Sequence, residues 1–158
     1  MKVSLVCVGL LRGPLVEAIA EYEARVSRYF SFEVVEVREV PHKGQPLRQL
    51  LHEEAERLLA NVPKQHEVIA LHRPGRTWSS DELSAHLAEA AVRAVPGVCF
   101  LIGGAFGLAD LALERATHRV SLSALTLPHE LARLVLTEQL YRAGTIARGE
   151  PYHKRPLH

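Results

Sequence analysis

Two patterns of apolar positions alternate along this chain. Near-continuous runs rich in Val, Ile and Leu occur at "VSLVCVG" (3–9), "FEVVEV" (32–37), "EVIAL" (67–71), "VCFLIGG" (98–104) and "HRVSLS" (118–123). Between them, apolar residues recur at helical period. Leu15, Ile19, Val26 and Tyr29 keep to one face of a first helix opened by Pro14, and Leu47, Leu50, Leu51, Leu58 and Leu59 do the same in a second. Ser79 followed by Glu82 has capping-box spacing and predicts the start of a third helix. A fourth is expected after Gly107 and a fifth from about Pro128 to Gly149. Strict alternation of strand and helix, with strands apolar on both faces, predicts a single α/β domain over 1–158. Its sheet is mostly parallel and flanked by helices.

The fifth helix is apolar on two sides. At about 100° per residue, Leu131, Leu134, Val135 and Tyr141 share one face, and Leu136, Leu140, Ala143 and Ala147 share roughly the opposite one. One face can cover the sheet, and the other needs a second partner. In a chain this small a second copy is the economical choice, so a homodimer through this helix is expected. Glu138 and Arg142 are spaced to pair within the first face.

Composition narrows the class without naming a function. The chain has 158 residues, 47% apolar and 23% charged, which suits one well-buried domain. Cys7 and Cys99 both lie in apolar runs, so they read as buried hydrophobes in a reducing compartment. The opening "MKVSLVCVGLLRG" is too short in apolar length for a membrane span and lacks a cleavage pattern, so a cytoplasmic protein with no membrane partner is expected. Net charge is only +1, yet from Arg142 onward Arg142, Arg148, Lys154 and Arg155 face only Glu150. This basic tail, from about residue 149, is either an ordinary solvated end or a phosphate-binding one.

Several chemistries find no support. The histidines include no i,i+4 pair, "HELAR" at 129 has Arg133 where a zinc helix needs its second His, and no CxxC occurs, so no metal site is expected. No serine sits in a GxSxG elbow, and no Walker A sequence follows a strand. What remains is loop chemistry at strand ends. "LIGGAFGL" (101–108) has GGxxG spacing rather than the dinucleotide fingerprint, and fits close packing as well as ligand approach. "EVIALHRPGR" carries Pro74-Gly75 as a turn after its apolar run. "SLSALTLPHE" (121–130) runs out of its strand through hydroxyl residues and meets a helix at Pro128-His129. Ligands of open α/β sheets gather outside strand carboxyl ends, so these three loops outline one pocket.

"LIGGAFGL", then "SLSALTLPHELARLVLTEQLYRA" and the terminal "GEPYHK", closely resemble the RlmH family of large-subunit ribosomal RNA pseudouridine N3-methyltransferases in the SPOUT superfamily. The likeness runs over nearly the whole chain and is strongest from Val98 to Lys154. It implies an α/β knot with a C-terminal trefoil, a homodimer, and S-adenosylmethionine as methyl donor. The acceptor it implies is a pseudouridine in helix 69 of 23S rRNA, within the assembled ribosome. Leu71, Gly103, Gly104 and the segment Leu122, Ser123, Ala124, Leu125, Thr126, Leu127 and Pro128 become the expected cofactor cradle. In this reading glycine is needed at 103 and 104 because a side chain would occupy ligand space. The family pattern departs at His72, where relatives carry an acid, and at Ala105-Phe106.

Methyl transfer to N3 of pseudouridine requires loss of the N3 proton, so a base or a stabiliser of the anion is useful. His153, Tyr152, His129 and Arg142 are the expected catalytic residues. The resemblance places the Tyr152-His153 pair in a site completed by the partner subunit, with Tyr152 against the RNA base. Arg133, Arg142, Arg148, Lys154 and Arg155 are expected to contact RNA phosphates or the cofactor carboxylate. Competing readings are a SPOUT-type tRNA methyltransferase and a non-catalytic ribosome-binding module.

Overall fold

The computed structural model describes residues 1–153, the last by its backbone only. Each apolar run forms a strand: β1 (Lys2–Val8), β2 (Ser31–Val37), β3 (Glu67–Thr77), β4 (Gly97–Ile102) and β5 (His118–Ser121). They make one parallel sheet in the order β2-β1-β4-β3-β5. The connecting helices are α1 (Val16–Val26), α2 (Leu47–Leu59), α3 (Ser80–Val92), α4 (Asp110–Arg115) and α5 (His129–Ala147), followed by a short 3-10 turn at Pro151–His153.

Alternation along the strands divides the core in two. Val3, Leu5 and Cys7 of β1 and Val98, Phe100 and Ile102 of β4 point to one face, where Val26, Leu83, Leu87, Leu136 and Leu140 cover them from α1, α3 and α5. Val6, Val8, Cys99 and Leu101 point to the other face and meet Ala55 and Leu58 of α2 and Ala112 of α4. Both cysteines are buried and free, one in each layer. Burial pushes the Cys7 thiol up to about 11, so it packs as a small apolar group.

Helix starts follow local chemistry. The Ser79 hydroxyl accepts from Glu82 N at 3.0 Å while Ser79 N donates to Glu82 Oε2 at 2.7 Å, the reciprocal pair expected from the sequence. Pro128 caps α5 with no side-chain bond, its fixed φ of −61° directing the chain into the helix. α5 then lies between α1 and α3. Gly144 permits the closest approach there, since a Cβ would come within 2.4 Å of the Tyr29 ring. Among the described residues no helix is long and apolar enough to cross a membrane.

One element differs from expectation. Pro74-Gly75 does not end β3; the strand continues to Thr77, and both Leu71 and Arg76 lie opposite Val120 of β5. The residues between them bulge out, which a Pro without an N–H tolerates. Gly75 is required at the bulge because a Cβ would sit 2.5 Å from the Arg119 carbonyl oxygen.

Candidate active site

The bulge of β3, the loop after β4 and the loop after β5 enclose a cavity of about 430 Å3 beyond the carboxyl ends of these strands. Leu71, Gly103, Gly104, Leu122, Ser123, Leu125, Thr126 and Leu127 line it, together with His129 at the start of α5. Ala124 and Pro128 belong to the same loop without lining the space. The serines that made this segment unusual in the sequence hold its shape. Ser121 Oγ donates to Ser123 O at 2.9 Å, and Ser123 Oγ accepts from Leu125 N at 2.9 Å. The loop is thus ordered by its own side chains, with Leu125 left 75% exposed.

The glycine loop is built differently from the expected reason. A Cβ on Gly103 would meet the Gly107 carbonyl oxygen at 2.5 Å, and one on Gly104 would meet Val8 Cγ1 at 3.0 Å. Protein atoms therefore exclude a side chain at Gly103 and crowd one at Gly104, beside the cavity that both residues line. Gly107 N donates to Gly104 O at 3.1 Å, and Gly107 itself has φ +85°, which L side chains rarely adopt. Arg73, Pro74, Ile102, Gly107 and Leu108, from the strand-end loops picked out in the sequence, also line the cavity, as do Ala132, which the sequence did not signal, and His72 and Phe106, noted there as departures. Phe106, 52% exposed, sits at the wall with its ring 6.0 Å from that of His42. Burial, reinforced by Arg119 and Arg73, lowers the pKa of His72 and favours a neutral imidazole there.

Gly9 is a further missed position, signalled only by its place at the end of the first apolar run. It has φ +103°, and a Cβ would come within 2.8 Å of His129 Nε2. The end of β1 therefore presses on His129, whose Nε2 also lies 3.0 Å from Glu130 Oε1. Behind Gly104 the buried Glu54 accepts from Val40 N at 3.0 Å, and burial raises its pKa.

The remaining predicted residues separate into two groups. Arg133 is only 7% exposed; Nε and Nη2 reach Glu23 Oε1 at 2.8 Å and Nη1 reaches Glu36 Oε2 at 2.7 Å. Its donors are committed inside the protein, so the expected contacts with RNA phosphate and cofactor carboxylate are corrected to a structural ion-pair cluster. Glu36 Oε2 also accepts from Leu11 N at 2.7 Å, which ties the loop after β1 to α5. The second group lies on the outer side of α5. Arg142 Nη2 and Nε donate to Glu138 Oε1 at 2.6 and 3.1 Å, as their spacing predicted. The Tyr152 hydroxyl donates to the same oxygen at 3.0 Å, and the Arg142 guanidinium lies 4.9 Å from the Tyr152 ring centre. Burial, with hydrogen bonds to Tyr22 and Glu138, raises the Tyr152 pKa. Arg148 is exposed and stacks 4.6 Å from the Tyr29 ring. Tyr152, Arg142 and Arg148 do not line the cavity of their own chain. The His153 side chain, Lys154 and Arg155 lie outside the described residues.

A parallel sheet with a ligand-sized cavity at its carboxyl ends, walled by a glycine turn and a hydroxyl-braced loop, describes an α/β domain built to bind a small ligand. Residues 1–153 match the family described as "Predicted SPOUT methyltransferase", and the chain belongs to that family. Among its relatives are proteins named ribosomal RNA large subunit methyltransferase H: one from Syntrophotalea carbinolica is 44% identical over 98% of this chain and 100% of its own length. Another, from Gemmatimonas aurantiaca, is 45% identical with the same coverage. A Legionella pneumophila protein, Lpg2936, determined in complex with bound SAM, shares the fold at a TM-score of 0.50 and 14% identity, covering 90% of this chain and 66% of that one.

Proposed function

We propose that this protein transfers a methyl group from S-adenosylmethionine to a base of large-subunit ribosomal RNA, and that the acceptor is N3 of a pseudouridine in helix 69. The observation that carries the reading is the cavity formed by the Gly103–Gly107 turn and the Leu122–Leu127 loop, in a chain with full-length relatives of that name. Its volume, about 430 Å3, falls in the range of small-ligand sites. The lining also fits the group: Leu71, Ile102 and Leu127 offer apolar surface, the loops offer backbone donors and acceptors, and Arg73 offers charge for a carboxylate. When bound, the cofactor supplies a sulfonium-activated methyl group.

The protein's own contribution is alignment and proton handling. An attacking nitrogen must be held about 3 to 3.5 Å from the methyl carbon, so positioning supplies much of the acceleration. Among the described side chains, His129 is the titratable group of the expected catalytic set that lines the cavity in its own chain. Tyr152, Arg142 and the backbone of His153 lie on the other side of α5. We assign them to the acceptor side of a site shared between two copies of the chain. The half-buried outer face of α5, with Leu131, Leu134 and Val135, supports such a homodimer. A single domain, the C-terminal knot, a cytoplasmic location and the assembled ribosome as substrate belong to the same proposal.

The deciding experiment measures transfer of labelled methyl from S-adenosylmethionine to ribosomes from a host lacking this activity, beside free rRNA and pseudouridine-deficient ribosomes. Transfer confined to pseudouridine-containing ribosomes is the expected result. Cofactor binding without transfer to any ribosome redirects the search to tRNA, and absence of cofactor binding favours a non-catalytic ribosome-binding module.

A further inference from the structure

A second constellation lies at the opposite ends of β3 and β5. Glu67 is the first residue of β3, His118 the first of β5, and His86 sits midway along α3. One carboxylate oxygen and two imidazole nitrogens all lie within 4.8 Å of one another. His118 Nε2 is 3.7 Å from Glu67 Oε1, and His86 Nε2 makes a closer contact with the same oxygen. The imidazole planes stand at 84° with centroids 4.8 Å apart, and the Trp78 ring packs 4.8 Å from His86 and 5.4 Å from His118. Beside them opens a groove of about 550 Å3, lined by Arg76, Trp78, Glu82 and Arg119 among others, which shares no lining residue with the cofactor cavity.

We propose that Glu67, His86 and His118 form a binding site for a divalent transition metal of the zinc class, with an open coordination position towards this groove. Two imidazoles and one carboxylate are a donor set that suits such an ion, three protein ligands leaving a fourth place for water. The spacing agrees. Tetrahedral bonds of about 2.0–2.1 Å hold donors roughly 3.3 Å apart, close to the 3.7 Å between His118 and Glu67. The closer His86–Glu67 contact has to widen to admit the ion between the two atoms.

The surroundings orient the donors. Glu67 Oε2 lies 3.6 Å from Arg93 Nη2, so one carboxylate oxygen is anchored while the other faces the histidines. The Trp78 ring shelves both imidazoles. A hydrogen bond between Glu67 and His86 needs no third group. The convergence of His118, from another element, on the same oxygen is the feature that a metal explains. Neither i,i+4 spacing nor CxxC announces this set, because its members come from three separate elements.

The test is equilibrium dialysis of the chelator-stripped full chain against Zn2+, with Co2+ absorption reporting the coordination. Stoichiometric uptake and the visible bands of four-coordinate Co2+ are expected. His118→Gln and His86→Gln, each checked for folding by circular dichroism, should weaken Zn2+ binding more than ~100-fold, beyond the effect of losing an outer-shell partner. Glu82→Gln, at the groove rim, should leave it intact. Failure of the unaltered chain to take up Zn2+ overturns the proposal. So does uptake that survives either histidine substitution in a folded chain, since the ion then lies elsewhere.

Discussion

The two halves of α5 are built from similar residue types and face different surroundings. In the first half, Arg133 is enclosed by Glu23 and Glu36, and His129 turns towards the cavity. In the second half, Arg142, itself 29% exposed, shares a part-buried Glu138 with Tyr152. One arginine is a strut between α5, α1 and β2, and the other is part of an accessible polar surface. Charge in the sequence therefore says little about partners until burial is known. An enclosed guanidinium with two carboxylates is costly to disrupt, whereas a pair whose arginine keeps more solvent contributes less stability.

Removing the outer surface should have the largest effect on activity. Truncation before Tyr152 is expected to leave cofactor binding intact and to slow methyl transfer by about 100- to 10,000-fold, the range of a lost general acid–base group. If the site is shared, mixing truncated chains with His129→Ala chains restores part of the activity, because one site in each mixed dimer has an intact wall and an intact tail. Recovery absent from a proven mixed dimer would place both groups in one chain's site.

Arg133→Ala should act on stability instead. It leaves Glu23 and Glu36 without their cation, and because both carboxylates keep some solvent the expected loss is about 2–3 kcal/mol, below the cost of a fully buried pair. Urea unfolding checks this; a change under 1 kcal/mol would mean the cluster is no strut. Arg142→Ala is expected to lose less than about 1 kcal/mol in the same assay.

Gly103→Ala sharpens the reading of the cavity wall. The new Cβ must move the Gly107 carbonyl, at a cost of about 1–3 kcal/mol, and calorimetry should show weaker cofactor binding. Tyr152→Phe gives the smallest effect, seen in alkali. The folded-state pKa of Tyr152 is raised above the usual 10.0, so its contribution is complete below that pH and is lost as pH rises towards the folded value, where the unfolded chain releases a proton first. The variant should lose less stability above pH 10 than the unaltered chain, with Tyr29, shifted the same way, keeping part of the slope.

Much of this was legible in the residues. The order of strands and helices and the Ser79 cap depend on local spacing and backbone chemistry, and they stand where the pattern put them, except that β3 runs on to Thr77. The loop after β5 was also legible, because hydroxyls beside a proline are odd at a strand end. The reason for its glycine neighbours was not, since the Gly107 carbonyl that excludes a Cβ at Gly103 is brought there by a turn.

Sequence by itself determined the alternating α/β order, the loops that wall the cavity and the family resemblance. Short-range periodicity and turn chemistry are properties of neighbouring residues. Only the tertiary structure decided that Arg133 is enclosed, that β3 bulges after Leu71 and continues to Thr77, and that Glu67, His86 and His118 meet. Each of these depends on which distant segments the parallel sheet brings side by side, and burial and donor spacing exist only once that packing is made.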